Sequence, residues 1–174
     1  MSFLRHFLGL EPTAARSDEG GAVRRIIHAL EQQDPETARY IARFSYVLGR
    51  VAFADSSASA AETHEMERII RERSKLPEAQ AVLVVEIAKS ENLLFGGTED
   101  YVVTREFARE ATRDQKLVLL DCCFAVSAAD QDVSVEEDNV IARIATELGL
   151  THDDFIKARM AYREYLAVLR KPTP

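Results

Sequence analysis

The sequence predicts an all-α chain: a globular bundle of about seven to eight helices built from two related helix–loop–helix halves. Three observations carry this expectation. From Ala22 onward, apolar residues recur at the 3.6-residue period of helices facing a core. The breaks between these stretches are helix punctuation, at Asp34-Pro35, Leu76-Pro77, Phe95-Gly96-Gly97 and Gly149. A shift of 75 residues lays residues 51–69 on 126–144 with seven of nineteen positions identical, so the chain repeats itself once.

The elements follow in order. Residues 1–21 read as an apolar segment and a flexible linker, and residues 22–170 as the helical domain. In Met1–Leu10, the residues Phe3, Leu4, Phe7, Leu8 and Leu10 recur at helical spacing around Arg5 and His6. This stretch is far too short to span a bilayer and has no signal-peptide cleavage pattern. It reads as a terminal helix docking on the core or on a second copy in a homodimer; the other reading is peripheral membrane contact through residues 1–10. Glu11 to Gly21 has loop composition. Val23, Ile26, Ile27 and Leu30 make one apolar stripe, and Ile41, Phe44, Val47, Leu48 and Val51 the next, opened by Asp34 as cap and Pro35 in the first turn. Further helices are expected over 60–74, 77–91, 98–111, 114–129, 135–148 and 152–169. Gly149 is the stop before the last, and Thr151 its cap. Tyr101–Thr104 is the one short stretch with strand-like composition.

Composition bounds the function. The 174 residues suffice for one well-cored domain, and 47% hydrophobic with 29% charged residues is the balance of a soluble globular protein. The net charge is −7. Residues 1–50 hold seven basic and six acidic side chains, so the acidity belongs to the rest of the chain. Such a surface is the wrong sign for phosphate backbones, and no nucleic-acid partner is expected. The two cysteines, Cys122 and Cys123, are adjacent on an apolar helix. That arrangement is neither a metal framework nor a disulfide scaffold. It fits buried, inert thiols in a reducing, cytoplasmic setting.

The repeat carries the chemistry worth weighing. Each copy is an apolar helix ending in Ala-Asp, a short loop, and Ser-x-x-Glu opening an amphipathic helix: Asp55, Ser59 and Glu62 in the first copy, Asp130, Ser134 and Glu137 in the second. Ser-x-x-Glu reads as a capping box. Asp55 and Asp130 stand at helix C-termini, where the macrodipole disfavours a negative charge. Either loop amides compensate through an Asx turn, or a divalent cation does, calcium first among them because it takes carboxylate oxygens. The second copy is the richer, with Asp130, Asp132, Glu136, Glu137 and Asp138. Neither copy has the spacing of an EF-hand.

The doubled Ala-Asp-x-x-x-Ser-x-x-Glu pattern, with Ala128-Ala129-Asp130 and Glu147-Leu148-Gly149-Leu150, resembles the TerB-like family. This is the group of tellurite-resistance protein TerB and of the N-terminal domain of the membrane-linked co-chaperone DjlA. The resemblance covers about residues 22–168. It implies a compact two-half bundle and an acidic, metal-binding cluster, which here falls on Asp55, Glu62, Asp130, Asp132 and Glu137. The family pattern usually has Gly after each Asp, where this chain has Ser56 and Gln131. The His-Pro-Asp of J domains does not occur, so the resemblance does not extend to stimulating an Hsp70.

Enzymatic motifs are missing. None of His6, His28, His64 or His152 completes a Glu-x-x-His, and there is no His-Glu-x-x-His, Gly-x-Ser-x-Gly or P-loop. The chain is therefore expected to be a non-enzymatic interaction module with a protein partner, linked through the resemblance to metal, tellurite or envelope stress. The alternative is a divalent-cation binding or sensing protein that uses the acidic loops.

Overall fold

A computed structural model describes residues 18–52, 60–90 and 100–169. These form helices α1 (Asp18–Glu31), α2 (Pro35–Ala52), α3 (Ala60–Ser74), α4 (Glu78–Lys89), α5 (Asp100–Glu110), α6 (Arg113–Ser127), α7 (Val135–Glu147) and α8 (His152–Met160). Two 3-10 turns, Ala128–Asp130 and Ala167–Leu169, follow α6 and close the described chain. Among the described residues there is no strand, only an isolated parallel bridge between Val133 and Leu166. None of their helices is long and apolar enough to cross a membrane. The segment 1–10, the Phe95-Gly96-Gly97 break and the loop of the first repeat lie outside the described residues.

Two helices occupy the centre. α2 is buried without interruption from Ile41 to Gly49, and α6 from Leu119 to Ser127 apart from Asp121. A helix buried around most of its circumference needs partners on every side. α2 has them in α4, α5, α6 and α7; α6 has them in α2, α3, α7 and α8. Aromatic packing marks both ends of this core. Phe44 and Phe107 meet edge to face with Tyr40 beside them, and Phe124 stacks on Tyr162 at 5.6 Å between ring centres.

The repeat is visible in the packing. α2 ends at Ala52 and α6 at Ser127, and α3 begins at Ala60 and α7 at Val135, each pair 75 residues apart. α3 packs on α6 while α7 packs on α2, the reciprocal exchange expected of two halves related by an approximate two-fold. α4 and α8 each lie against the central helix of their own half. α1 and α5 break the relation: α1 leans on α4 and α2, whereas α5 lies on α2 and α7.

Three expectations are corrected. The stretch expected as linker up to Gly21 is already helical from Asp18; acidic residues such as Asp18 and Glu19 suit a first turn. The last helix does not run to residue 169 but ends at Met160. The chain then pairs with the second repeat loop, Val133 N–H donating to Tyr165 C=O at 2.8 Å and Ala167 N–H to Val133 C=O at 2.9 Å. Tertiary pairing there overrides helical periodicity. Tyr101–Thr104 is helical, inside α5. The punctuation within the described residues is as expected. Asp34 Oδ1 caps α2 by accepting from Glu36 and Thr37 amides, and Gly149, at φ +70°, ends α7 in a Schellman turn.

Most polar side chains in this core are paired; among the described residues the buried Ser127 hydroxyl is an exception. Ser45 Oγ donates back to Ile41 C=O at 2.6 Å. Arg43 donates to Glu106 and Glu110 of α5. Arg50 joins three helices by donating to Thr104 at 2.7 Å and to Glu147. Asp154 closes the capping box of α8 by accepting from the Thr151 amide at 3.1 Å, and it also accepts from Thr151 Oγ1 at 2.8 Å and from Arg113 across to α6.

The Thr151 hydroxyl and amide, with Arg113 and Lys157 nearby, hold the Asp154 carboxyl below its ordinary value of 3.8. A carboxylate whose folded pKa is depressed adds stability at pH values above its unfolded pKa, and that stability is lost as pH falls through the folded value. Asp154→Asn is therefore expected to be less stable than wild type at neutral pH, with a shallower loss of stability from about pH 5 to pH 2. Urea midpoints at stepped pH measure it, and parallel curves for the two proteins would refute it.

Candidate functional site: the second acidic loop

The loop between α6 and α7 is built from backbone requirements. α6 tightens into the 3-10 turn Ala128–Asp130, and the chain reverses at Gln131, which adopts the left-handed region at φ +68°. That geometry explains why the family pattern favours Gly here: glycine adopts it freely, whereas a residue with a Cβ is strained by roughly 1–2 kcal/mol. Asp130 Oδ1 then accepts the Asp132 amide at 3.0 Å, forming an Asx turn. Val133, 1% exposed, is pinned against the C-terminal segment through its bridge to Leu166. Ser134 opens α7 with a complete capping box: its Oγ accepts the Glu137 amide at 3.1 Å, and its own amide donates to Glu137 Oε2 at 2.8 Å.

Of the residues singled out from sequence, Asp130, Asp132 and Glu137 share this loop. Asp130 is exposed at the turn, Asp132 is half-buried behind it, and Glu137 is turned back onto the helix start. Asp138, the next acid along, is taken by Arg159 of α8, whose Nε and Nη2 donate to it at 2.8 and 2.7 Å. Glu136, Glu137 and Asp138 also fill the first turn of α7, where the macrodipole favours negative charge. Asp55 lies outside the described residues, as does the side chain of Glu62 on α3. Among the described residues, no group of three or more His, Cys, Asp or Glu side chains converges as a metal-holding set. Turn, cap and ion pair are the chemistry that this loop displays.

The thiols are as withdrawn as expected. Cys122 and Cys123 are fully buried; burial pushes Cys123 up to about 12 and Cys122 well above the ordinary thiol range. Neither offers a thiolate at neutral pH. Sequence reasoning missed the Asp138–Arg159 pair and the Val133–Leu166 bridge. For Val133 a signal existed, since an apolar residue just before a capping Ser is the usual anchor of a helix entry. For Arg159, helical spacing gave no hint of which acid it would meet.

Two substitutions test this account of the loop. Ser134→Ala is expected to lose about 0.5–2 kcal/mol, the usual cost of a removed N-cap. Gln131→Gly is expected to gain about 0.5–1 kcal/mol by relieving the left-handed residue. Urea unfolding reads both; an unmoved midpoint for Ser134→Ala, or a destabilised Gln131→Gly, would contradict the geometry described.

With the halves, the reversal and the caps in place, comparison with known proteins gives a consistent answer. The family model for tellurite resistance protein TerB matches residues 41–160, from the buried stretch of α2 to the end of α8. No curated protein and no solved structure matches the chain. The matched region is more than half of the chain and contains the buried stretches of both central helices, and the protein belongs to the TerB family.

Proposed function

We propose that this chain is a non-enzymatic interaction module that works by holding a protein partner, in the setting of the tellurite resistance that its family name gives, or of metal or envelope stress. The observation that carries the reading is an exposed apolar end of the bundle. Val135, Met160, Val168 and Leu169 are each 44–52% exposed. They lie on segments tied together by the Val133–Leu166 bridge and the Arg159–Asp138 pair. Large apolar side chains gathered at one end of a charged surface mark an interaction site more often than a catalytic one. The inert thiols and the carboxylates committed to caps support the same reading, and adjacent, buried free thiols favour a cytoplasmic setting.

The test compares tagged wild type with the double variant Val168→Asp, Leu169→Asp in capture from cell extract, with circular dichroism confirming the fold of each. Wild type is expected to retain a stoichiometric partner that the variant loses. Identical captures would overturn the proposal. So would a melting midpoint that millimolar calcium raises in wild type but not in Asp130→Asn, which would favour a cation-binding role instead.

A further inference from the structure

A separate cleft of about 660 Å3 opens between the N-terminal half of α2, the α3–α4 turn, the end of α5 and the start of α6. This is within the usual size range of small-ligand sites, roughly 300–1,000 Å3. Its floor is aromatic: Tyr40 and Phe107 lie 5.7 Å apart between ring centres, tilted by 35°. Leu76 and Ala111 add apolar wall. The Tyr40 hydroxyl makes no hydrogen bond among the described residues, and burial pushes its pKa up to about 12, so it stays a neutral donor and acceptor.

The charges around this floor have a definite sign. Asp34, Glu36 and Glu110 are exposed at the rim, and hydrogen bonds from Thr37 keep the Asp34 carboxyl below its ordinary value. Arg43 lies beneath, its side chain only 5% exposed and its charge matched by Glu106 and Glu110. Arg39 is half-buried in the wall and is outnumbered by Asp34 and Glu36, the rim carboxylates that Arg43 does not take. Two helix N-termini border the cleft, which would ordinarily attract an anion. Both are already capped, α2 by Asp34 Oδ1 and α6 by Thr112 Oγ1, which accepts the Gln115 amide at 3.2 Å.

We infer that this cleft binds an organic cation, an amine or guanidinium carried on an apolar stem. The stem lies over Tyr40 and Phe107, the head meets the rim carboxylates, and the aromatic faces add cation–π attraction. The same chemistry is offered by a free polyamine and by a Lys or Arg side chain of a protein. The inference stands apart from the apolar end of the bundle and does not depend on it.

Three six-carbon probes of equal length separate the contributions: hexamethylenediamine, the corresponding neutral diol, and adipate. Titrated into the full chain and followed by amide NMR shifts, the diamine is expected to give saturable shifts clustered around Tyr40, Phe107 and Thr112, with the diol and adipate giving none. Spermidine and acetyl-Leu-Lys-amide then distinguish a free polyamine from a protein side chain, and tighter binding of either names the source. Glu36→Gln, an exposed first-turn change that leaves the α2 cap intact, is expected to weaken diamine binding about three- to fivefold, as for loss of one exposed ion pair. Tyr40→Phe keeps the ring and tests the hydroxyl by a further loss of affinity. The double variant Val168→Asp, Leu169→Asp is expected to bind the diamine as wild type does, so failure of the interaction-module reading and failure of this site are read separately. Adipate binding as well as the diamine, shifts scattered over the acidic surface, or unchanged affinity in Glu36→Gln would each overturn the inference.

Discussion

The burial of the C-terminal stretches of two helices, α2 and α6, is the constraint on which the rest of this structure depends. A helix enclosed on most sides cannot present its polar groups to water, so each must be satisfied inside. Ser45 meets this by bonding back to Ile41, and Arg43 by reaching two carboxylates of α5. The same enclosure explains why the chain is doubled. Within its own half, α2 meets α4 and a little of α1; the remaining cover comes from α5, α6 and α7 of the other half. A half alone would leave a long apolar face in water, at about 25 cal/mol for each Å2 exposed. The repeat is therefore an energetic requirement of the fold and not only a mark of its origin.

Enclosure also dictates the loops. A chain leaving a central helix must reverse sharply to lay the next helix on the neighbouring half, and the second loop does so in few residues. Gln131 supplies the left-handed step, Val133 the apolar pin, and Ser134 with Glu137 the start of the next helix. The density of acids there follows from helix-start chemistry: three of them fill the first turn of α7, where positive amide dipoles concentrate. Counting carboxylates along the sequence therefore overstates how many oxygens are left for a cation. Asp130 and Glu137 each spend an oxygen on a backbone amide, and Asp138 faces a guanidinium.

Much of this was legible because it is local. Caps at Asp34, Ser134 and Thr151, the stop at Gly149, and the doubling at 75 residues are written in short spacings that backbone sterics and hydrogen bonding read directly. What was not legible depends on distant partners. The end of α8 at Met160 cannot be seen from residues 152–169, which keep helical periodicity; the cause is Val133, far back in the chain. Likewise, Arg50 meeting Glu147 follows from how the halves exchange helices, and Arg113 meeting Asp154 from how α8 packs on α6. The candidate site was legible as a capping box and an Asx turn, but the cleft over Tyr40 was not, because four separate segments form it.

The distribution of charge brings the two surface features into one electrostatic setting. Arg50 and Arg159 each meet one carboxylate and cancel it, and Arg43 meets two, leaving one negative charge. Most of the net −7 therefore resides on what remains outside. Such a field repels phosphates and carboxylates and speeds approach of basic surfaces, more so at low salt because the Debye length lengthens. Glu136 and Glu164 are exposed on the segments that carry Val135 and Val168, so the apolar end has acids close by in the chain. Apolar burial would supply the affinity there, and the acids would select against acidic competitors. The cleft over Tyr40 applies the same rule at small scale, an apolar floor for a stem and carboxylates for its charge.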